Sequence, residues 1–311
     1  MRLRAVLFVF GFWMSFLAQT AHALPTEIKT CGQTLSAAGE YILANNLNCS
    51  GTSGDYTGVT ITASNVTLYL AGREISSEDC DLNRNISGIL VAGGLTNVKI
   101  IGGAVSGFND GIVLSSSKSQ VVGVTVKNAC EFGILVQGAH NSITTNTVTA
   151  SGDGVVLSPS DDSRVVSNNL SGNVRAGVLI SDDSERNTIA YNILDNNGAN
   201  SDEGYGVAVF NGSGNTIRNN AASYNDIGIR VSAPNNAVNN NTVSGNSNYG
   251  VWLAIDGSPS SVRRNSVFGS GKSDMLDESP LCGGNVWRNN KFSTDLVNGV
   301  SDAGPGGGCI K

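Results

Sequence analysis

FGILVQGAHNSITTNTV, residues 132–148, sets a glycine before three aliphatics, follows with a polar corner, and then alternates again towards an asparagine. The same pattern returns along most of the chain. Glycines preceding an aliphatic triplet stand at Gly58, Gly88, Gly111, Gly133, Gly154, Gly177, Gly206, Gly228 and Gly250, at intervals of 30, 23, 22, 21, 23, 29, 22 and 22. The two long intervals carry polar inserts, one around Cys80 and one at DNNGANSDEG (195–204), and a degenerate tenth copy covers about 273–292. A repeat of this length marks a solenoid, in which each unit buries its apolar face only against its neighbours.

Each copy holds two short alternating segments. The first inward position reads Ile89, Ile112, Ile134, Val155, Val178, Val207, Ile229 and Val251, all β-branched, as a stacked pleated interior prefers. Burial of each contributes roughly 1.5–3 kcal/mol. No 3.6-residue periodicity lies between the strands, which excludes helical and leucine-rich repeats. Three residues beyond the inward residue of the second segment stand Asn146, Asn168, Asn192, Asn220, Asn241 and Asn265, with Asn290 continuing the series. Asparagine tolerates a left-handed corner, and amides stacked about 4.8 Å apart can hydrogen-bond along the stack. These asparagines are therefore read as structural. The expected fold is all-β: a single-domain right-handed parallel β-helix of about ten coils, since parallel crossovers strongly prefer that hand.

The repeats GILVQGAHNSITTNTVTAS and GVAVFNGSGNTIRNNAASYN resemble the parallel β-helix repeats of the carbohydrate-binding and sugar-hydrolase group. That group includes pectate lyases, polygalacturonases, and alginate lyases and epimerases. The opening CGQTLSAAGEYILANNLNC and GVTITASNVTLYLAGREI, and the closing CGGNVWRNN, resemble exported bacterial members of unassigned role. The likeness implies the fold for the whole mature chain. It says little about activity, because enzymes and non-enzymes share the repeat.

Residues 1–23 read as a secretory signal: Arg2 and Arg4, a short apolar run, then Ala21-His22-Ala23. Four parts follow: signal 1–23, N-terminal cap 24–57, repeats 58–292, and C-terminal cap or tail 293–311. The mature chain is expected to be secreted or periplasmic, with no membrane span. Loss of the two arginines moves the formal charge from −6 to −8, which excludes nucleic-acid capture for want of a basic footprint. The six cysteines outside the signal read as disulfides in an oxidising compartment. Cys31–Cys49 and Cys282–Cys309 would clamp the ends. Cys80 and Cys130 either pair, which folds the insert SSEDCDLNRN (76–85) back on the body, or remain separate buried thiols.

Stacking places equivalent residues in columns, so a catalytic set should appear as one. The residue three before each inward residue of the second segment reads Ala63, Leu95, Lys118, His140, Asp162, Arg186, Gly214, Asn235 and Pro259. Four successive coils there carry Lys118, His140, Asp162 and Arg186, with Asp161, Asp182 and Asp183 in the same turn region. As a lyase or epimerase, Lys118 or His140 would be the base, Arg186 would neutralise a uronate carboxylate, and the aspartates would hold Ca²⁺, the one cofactor this reading admits. As a hydrolase, Asp161 or Asp162 would pair with Asp182 or Asp183 as acid and base. Turns also face water and collect charge without any chemistry. The Asn-Thr-Asp triplet of polygalacturonases and the Asp-Pro-His-Asp signature of alginate epimerases are absent.

A second column, the outward residue between two inward ones, reads Leu90, Val113, Leu135, Val156, Leu179, Ala208, Arg230 and Trp252. Its aliphatic stripe suggests a partner protein, self-association, or coverage by the tail or by insert 76–87. Phe132, Tyr205, Tyr249 and Trp252 suit stacking on sugar rings but look scattered along the sequence. Two functions follow: a protein that binds a polysaccharide, with or without cleaving it, or a non-catalytic envelope protein that assembles through the stripe.

Overall fold

The computed structural model describes residues 24–50, 54–78, 80–198, 203–301 and 308–311, so the signal-like segment lies outside the described residues. Within them the chain winds through short strands that feed three long faces. Sheet 1 has twelve strands, from Thr26–Ile28 to Val286–Arg288, and sheet 2 has thirteen, from Gln33–Leu35 to Val300–Ser301. The third face is a five-stranded sheet from Leu47–Asn48 to Thr147–Thr149 and a three-stranded one from Ala221–Ser223 to Ser266–Phe268. Single-residue bridges at Asn169 and Ile193 link the two. Among the described strands every pairing is parallel except the last, Asp295–Val297 with Val300–Ser301.

The register is the one the repeat implied. Ile89, Ile112, Ile134, Val155, Val178, Val207, Ile229 and Val251 pair in succession along sheet 2. All are fully buried. The repeat glycine belongs to this packing. A Cβ on Gly133 would stand 2.2 Å from Val148 Cγ1 and 2.6 Å from the Gly154 carbonyl oxygen of the next coil, so no larger residue fits.

Asparagine does more than the sequence suggested, and for one reason rather than two. Asn146, Asn168, Asn192, Asn220, Asn241 and Asn265 form a buried ladder that ends on the half-buried Asn290: the Nδ2 of Asn192 donates to Asn220 Oδ1 at 3.0 Å and to the Val165 carbonyl at 2.9 Å. Asn168 repeats this towards Asn192. The left-handed residue is not the ladder asparagine but its predecessor: Thr145, Ser167, Tyr191, Asn219, Asn240, Arg264 and Asn289 all have φ of 54–58°. The hydrogen bond, not tolerance of φ, selects asparagine. Two further ladders run at the other corners. One passes through Ser119, Asn141, Ser163, Asn187, Asn215, Asn236 and Ser260. The other passes through Ser151, Asn173, Asn197, Asn225 and Asn246.

All three disulfides form: Cys31–Cys49, Cys80–Cys130 and Cys282–Cys309. The second ties the insert to the body, where Asn109 Nδ2 also donates to the Asp81 and Arg84 carbonyls. At the far end Ile310 is buried, and the Lys311 carbonyl accepts from Asn290 Nδ2 at 2.9 Å, closing the central ladder. Replacement of Asn192 by alanine leaves Asn168 and the Val165 carbonyl without their buried partners. We expect a loss on the order of 3 kcal/mol, read as a lower urea midpoint at unchanged slope.

Candidate functional site

The charged column predicted from sequence is a real stack. Backbone hydrogen bonds run from Lys118 to Ala139, His140 to Asp161, Asp162 to Glu185 and Arg186 to Ser213, coil upon coil. Its first members differ from the sequence reading. Leu68 and Ile100, not Val66 and Val98, stand in line with Val121, so Asn65 and Asn97 replace Ala63 and Leu95 in the column. Asn65, Asn97, Lys118, His140, Asp162, Arg186 and Asn235 all have φ between 52 and 59°. This corner suits asparagine or glycine, and a lysine, histidine or arginine there bears roughly 1–2 kcal/mol of backbone strain.

Lys118 and His140 are exposed. Arg186 is engaged by its neighbours: Nε donates to Asp162 Oδ1 at 3.0 Å, and Nη2 to Asp162 Oδ2 at 3.1 Å and Asp161 Oδ2 at 3.4 Å. Nη1 pairs with Glu185. The Arg186 hydrogen bond holds the Asp162 carboxyl below its usual range, and the same bond pushes the guanidinium above its own. With three carboxylates around it, Arg186 brings little net positive charge to a sugar carboxylate. Asp161, Asp182 and Asp183 line one shallow pocket with Pro159 and Ala139, and Asp182 also accepts from Ser158. Among the described residues no three His, Cys, Asp or Glu side chains come together as a metal site.

The outer face of sheet 2 carries a second set that the sequence reading missed. The residue before each repeat glycine forms its own outward column: Asp110, Phe132, Asp153, Ala176, Tyr205, Ile227 and Tyr249 are register partners in successive coils. Ala176 pairs with Tyr205, and the Val155–Val178 pairing sets the remaining step. The signal was present in the sequence, one position before each glycine. Beside this column runs the expected stripe of Leu90, Val113, Leu135, Val156, Leu179, Ala208, Arg230 and Trp252. Val113 and Val156 are only 8% and 2% exposed, while Leu90, Leu135 and Leu179 are half-buried. The described tail strand Asp295–Val297 extends sheet 2 beyond Met275–Asp277 instead of lying across the stripe. Aromatics that look scattered in sequence are therefore neighbours on one face.

Towards the later coils this face opens into a pocket of about 300 Å³ lined by Asp153, Arg175, Ala176, Leu179, Glu203, Tyr205 and Phe210. Arg175 clamps Asp153, with Nε at 3.1 Å and Nη2 at 2.7 Å from Oδ2, while Oδ1 accepts the Ala176 N–H at 2.9 Å. That carboxylate is a fixed strut of the floor. Tyr205 and Phe210 meet edge to face at 5.7 Å, and Tyr249 and Trp252 lie 5.3 Å apart. Arg230 sits among these rings. Two buried polar atoms on the face have no partner among the described residues, Asp110 Oδ1 and Trp252 Nε1. Burial, reinforced by the nearby Glu131 charge, pushes Asp110 up from 3.8 to about 6, against a hydrogen bond from the Phe132 N–H.

The chain matches the family described as "Right handed beta helix region" over residues 45–194, 87–226 and 199–302, and belongs to it. Among solved structures it is similar to a point mutant of the periplasmic alginate epimerase AlgG, with 15% identity and a TM-score of 0.64, covering 85% of this chain and 71% of that one. It is similar to the Dettilon tailspike protein, with 16% identity and a TM-score of 0.67, covering 92% of this chain but 60% of the tailspike. It is also similar to the A-module of mannuronan C-5 epimerase AlgE6 from Azotobacter vinelandii, with 16% identity and a TM-score of 0.51, covering 89% and 90%. At these identities the likeness is one of fold. Among curated protein sequences, none matches.

A carboxyl with a raised folded-state pKa contributes stability below its unfolded value and loses it as pH rises through the folded one. For Asp110 that window runs from 3.8 to about 6. Asp110→Asn should flatten the fall in stability across this window and leave the variant more stable at pH 7–8 by on the order of 2 kcal/mol, read by urea unfolding at several pH values.

Proposed function

We propose that the protein is an exported polysaccharide-binding solenoid that holds a glycan chain along the outer face of sheet 2 and processes it there. The observation that carries this reading is the pocket walled by Tyr205, Phe210, Leu179 and Ala176, with Arg175 and Glu203 at its edge. Sugar rings present apolar C–H faces ringed by hydroxyls, and a concave site of aromatic walls with a few convergent polar groups suits both. The open run of sheet on either side leaves room for further units. Solved structures of the same fold include proteins named as acting on alginate and mannuronan. Three disulfides and a neighbour described as periplasmic support export.

Processing of the lyase, epimerase or hydrolase kind needs a proton-transfer group beside the bound chain. Asp110, in the same outward column, has its carboxyl pushed up to about 6 by burial and is the partly desolvated acid this face offers. The corner set Lys118, His140, Asp161, Asp162, Asp183 and Arg186, with Ca²⁺ on its aspartates, is the competing location. Assembly through Leu90, Val113, Leu135, Val156 and Leu179 would instead bury the sheet face against a second copy.

A glycan array with and without Ca²⁺, followed by calorimetry on the best ligand, tests the binding. Tyr205→Ala and Trp252→Ala should each weaken it about tenfold, in line with about 1–3 kcal/mol for a lost stacking contact. His140→Ala should leave affinity unchanged. A product assay then separates the two locations: loss of turnover in Asp110→Asn with retention in His140→Ala and Arg186→Ala places the chemistry on sheet 2. The opposite pattern places it at the corner. A stable dimer by sedimentation, together with no glycan bound, would replace this function with assembly.

A further inference from the structure

Arg84 and Arg218 each lie over one described ring, Tyr56 and Tyr191, whereas Arg230 meets three. Arg175 is bound by Asp153, and Arg186 by Asp161, Asp162 and Glu185. Arg230 is half-buried, yet among the described residues no carboxylate lies within ion-pair distance of it. Its guanidinium carbon lies 4.4 Å from the centre of the Trp252 ring, 5.1 Å from Phe210 and 5.9 Å from Tyr205. Nη1 donates to the Tyr205 hydroxyl at 3.0 Å and Nε to Ser232 Oγ at 3.1 Å. These bonds and rings fix the plane of the fork, and among the described residues Nη2 has no acceptor. Tyr205 and Phe210, which both touch Arg230, also wall the sheet 2 pocket.

A cation held by aromatic faces keeps its charge, because rings attract it without neutralising it. The chain as a whole is acidic, at a formal −6, and would repel a polyanion unless a local positive charge is left uncompensated. Arg230 meets that condition at the edge of the pocket proposed to hold sugar. Glu203 on the same rim acts on the Tyr205 hydroxyl that accepts from Arg230, but it is exposed and outside ion-pair distance of the guanidinium, so water and salt screen it.

We infer that Arg230, oriented by Tyr205, Phe210, Trp252 and Ser232, is a subsite for the anionic substituent of an acidic sugar unit. The group it takes is a carboxylate or a sulfate, either of which accepts two parallel N–H donors from a preorganised guanidinium. The inference rests on the polysaccharide reading and adds the charge of the ligand to it. Neutral units occupy the aromatic pocket, and the acidic substituent faces Arg230.

The experiment compares matched glycans by calorimetry on the full mature chain. One pair is a uronan oligosaccharide and its carboxyl-reduced form, and the other is a sulfated oligosaccharide and its desulfated form. Wild type should prefer one acidic member by about tenfold or more, with affinity falling as salt rises. The discriminated pair names the group. Arg230→Gln should remove most of that preference and change affinity for the neutral member less than about twofold. Arg230→Lys, which keeps the charge without the flat fork, should fall between them. Circular dichroism confirms folding. If Arg230→Gln does not fold, the lysine variant and the salt dependence of wild type decide. Equal affinity for acidic and neutral members in wild type, or a preference that survives Arg230→Gln, overturns the inference while leaving the polysaccharide reading in place. Failure to bind any of the four oligosaccharides overturns both.

Discussion

The fold depends on satisfying polar groups at three buried corners in every coil. A solenoid with a thin apolar core turns sharply three times per winding, and each turn points backbone N–H and C=O groups inward where water cannot reach them. Side-chain amides answer this. Asn168 accepts from the backbone N–H of Asn146 at 2.8 Å and donates to the Ile143 carbonyl at 2.9 Å, and the next asparagine does the same one coil further on. Because each amide serves the coils on both sides, the ladders lock register as well as satisfying hydrogen bonds. A slip of one residue would bury a Thr or Arg where an asparagine belongs.

That locked register turns sequence periodicity into surface geometry. Residues 22 to 29 apart become neighbours one strand spacing apart, so Asp153, Ala176 and Tyr205 form part of a wall although nothing local connects them. The same stacking explains the difference between the two charged regions. At the left-handed corner, side chains project into solvent and charges compensate one another, as Arg186 does with Asp161, Asp162 and Glu185. On the flat sheet face, side chains lean on their neighbours in the stack. Asp110 is partly desolvated there, and Arg230 is held by rings instead of carboxylates. Partly desolvated groups gather on the sheet, and exposed, ion-paired groups gather at the corner.

The disulfides work on the regions where the ladders are interrupted. Cys31–Cys49 closes the first winding, and Cys282–Cys309 draws the last residues under the final one. Cys80–Cys130 holds a polar insert beside Asn109, ahead of the coil that presents Asp110. The rod is thereby fastened where stacking alone gives least, at its ends and its insert.

The sequence alone determined the architecture, because a glycine followed by β-branched residues every 22 or so positions has one economical way to bury itself. It also determined the inward column, one asparagine ladder and the stacking of Lys118, His140, Asp162 and Arg186, since each follows from counting along a constant repeat. Counting failed where strand starts shift, which is why Asn65 and Asn97, not Ala63 and Leu95, stand in that column. Only the tertiary structure decided what those columns touch: that carboxylates enclose Arg186, that among the described residues aromatic rings hold Arg230, and that Phe132, Tyr205 and Tyr249 share a face. The reason is physical. Period fixes which residues are neighbours, whereas burial, ion pairing and ring stacking depend on side-chain direction across several coils, which no single repeat contains.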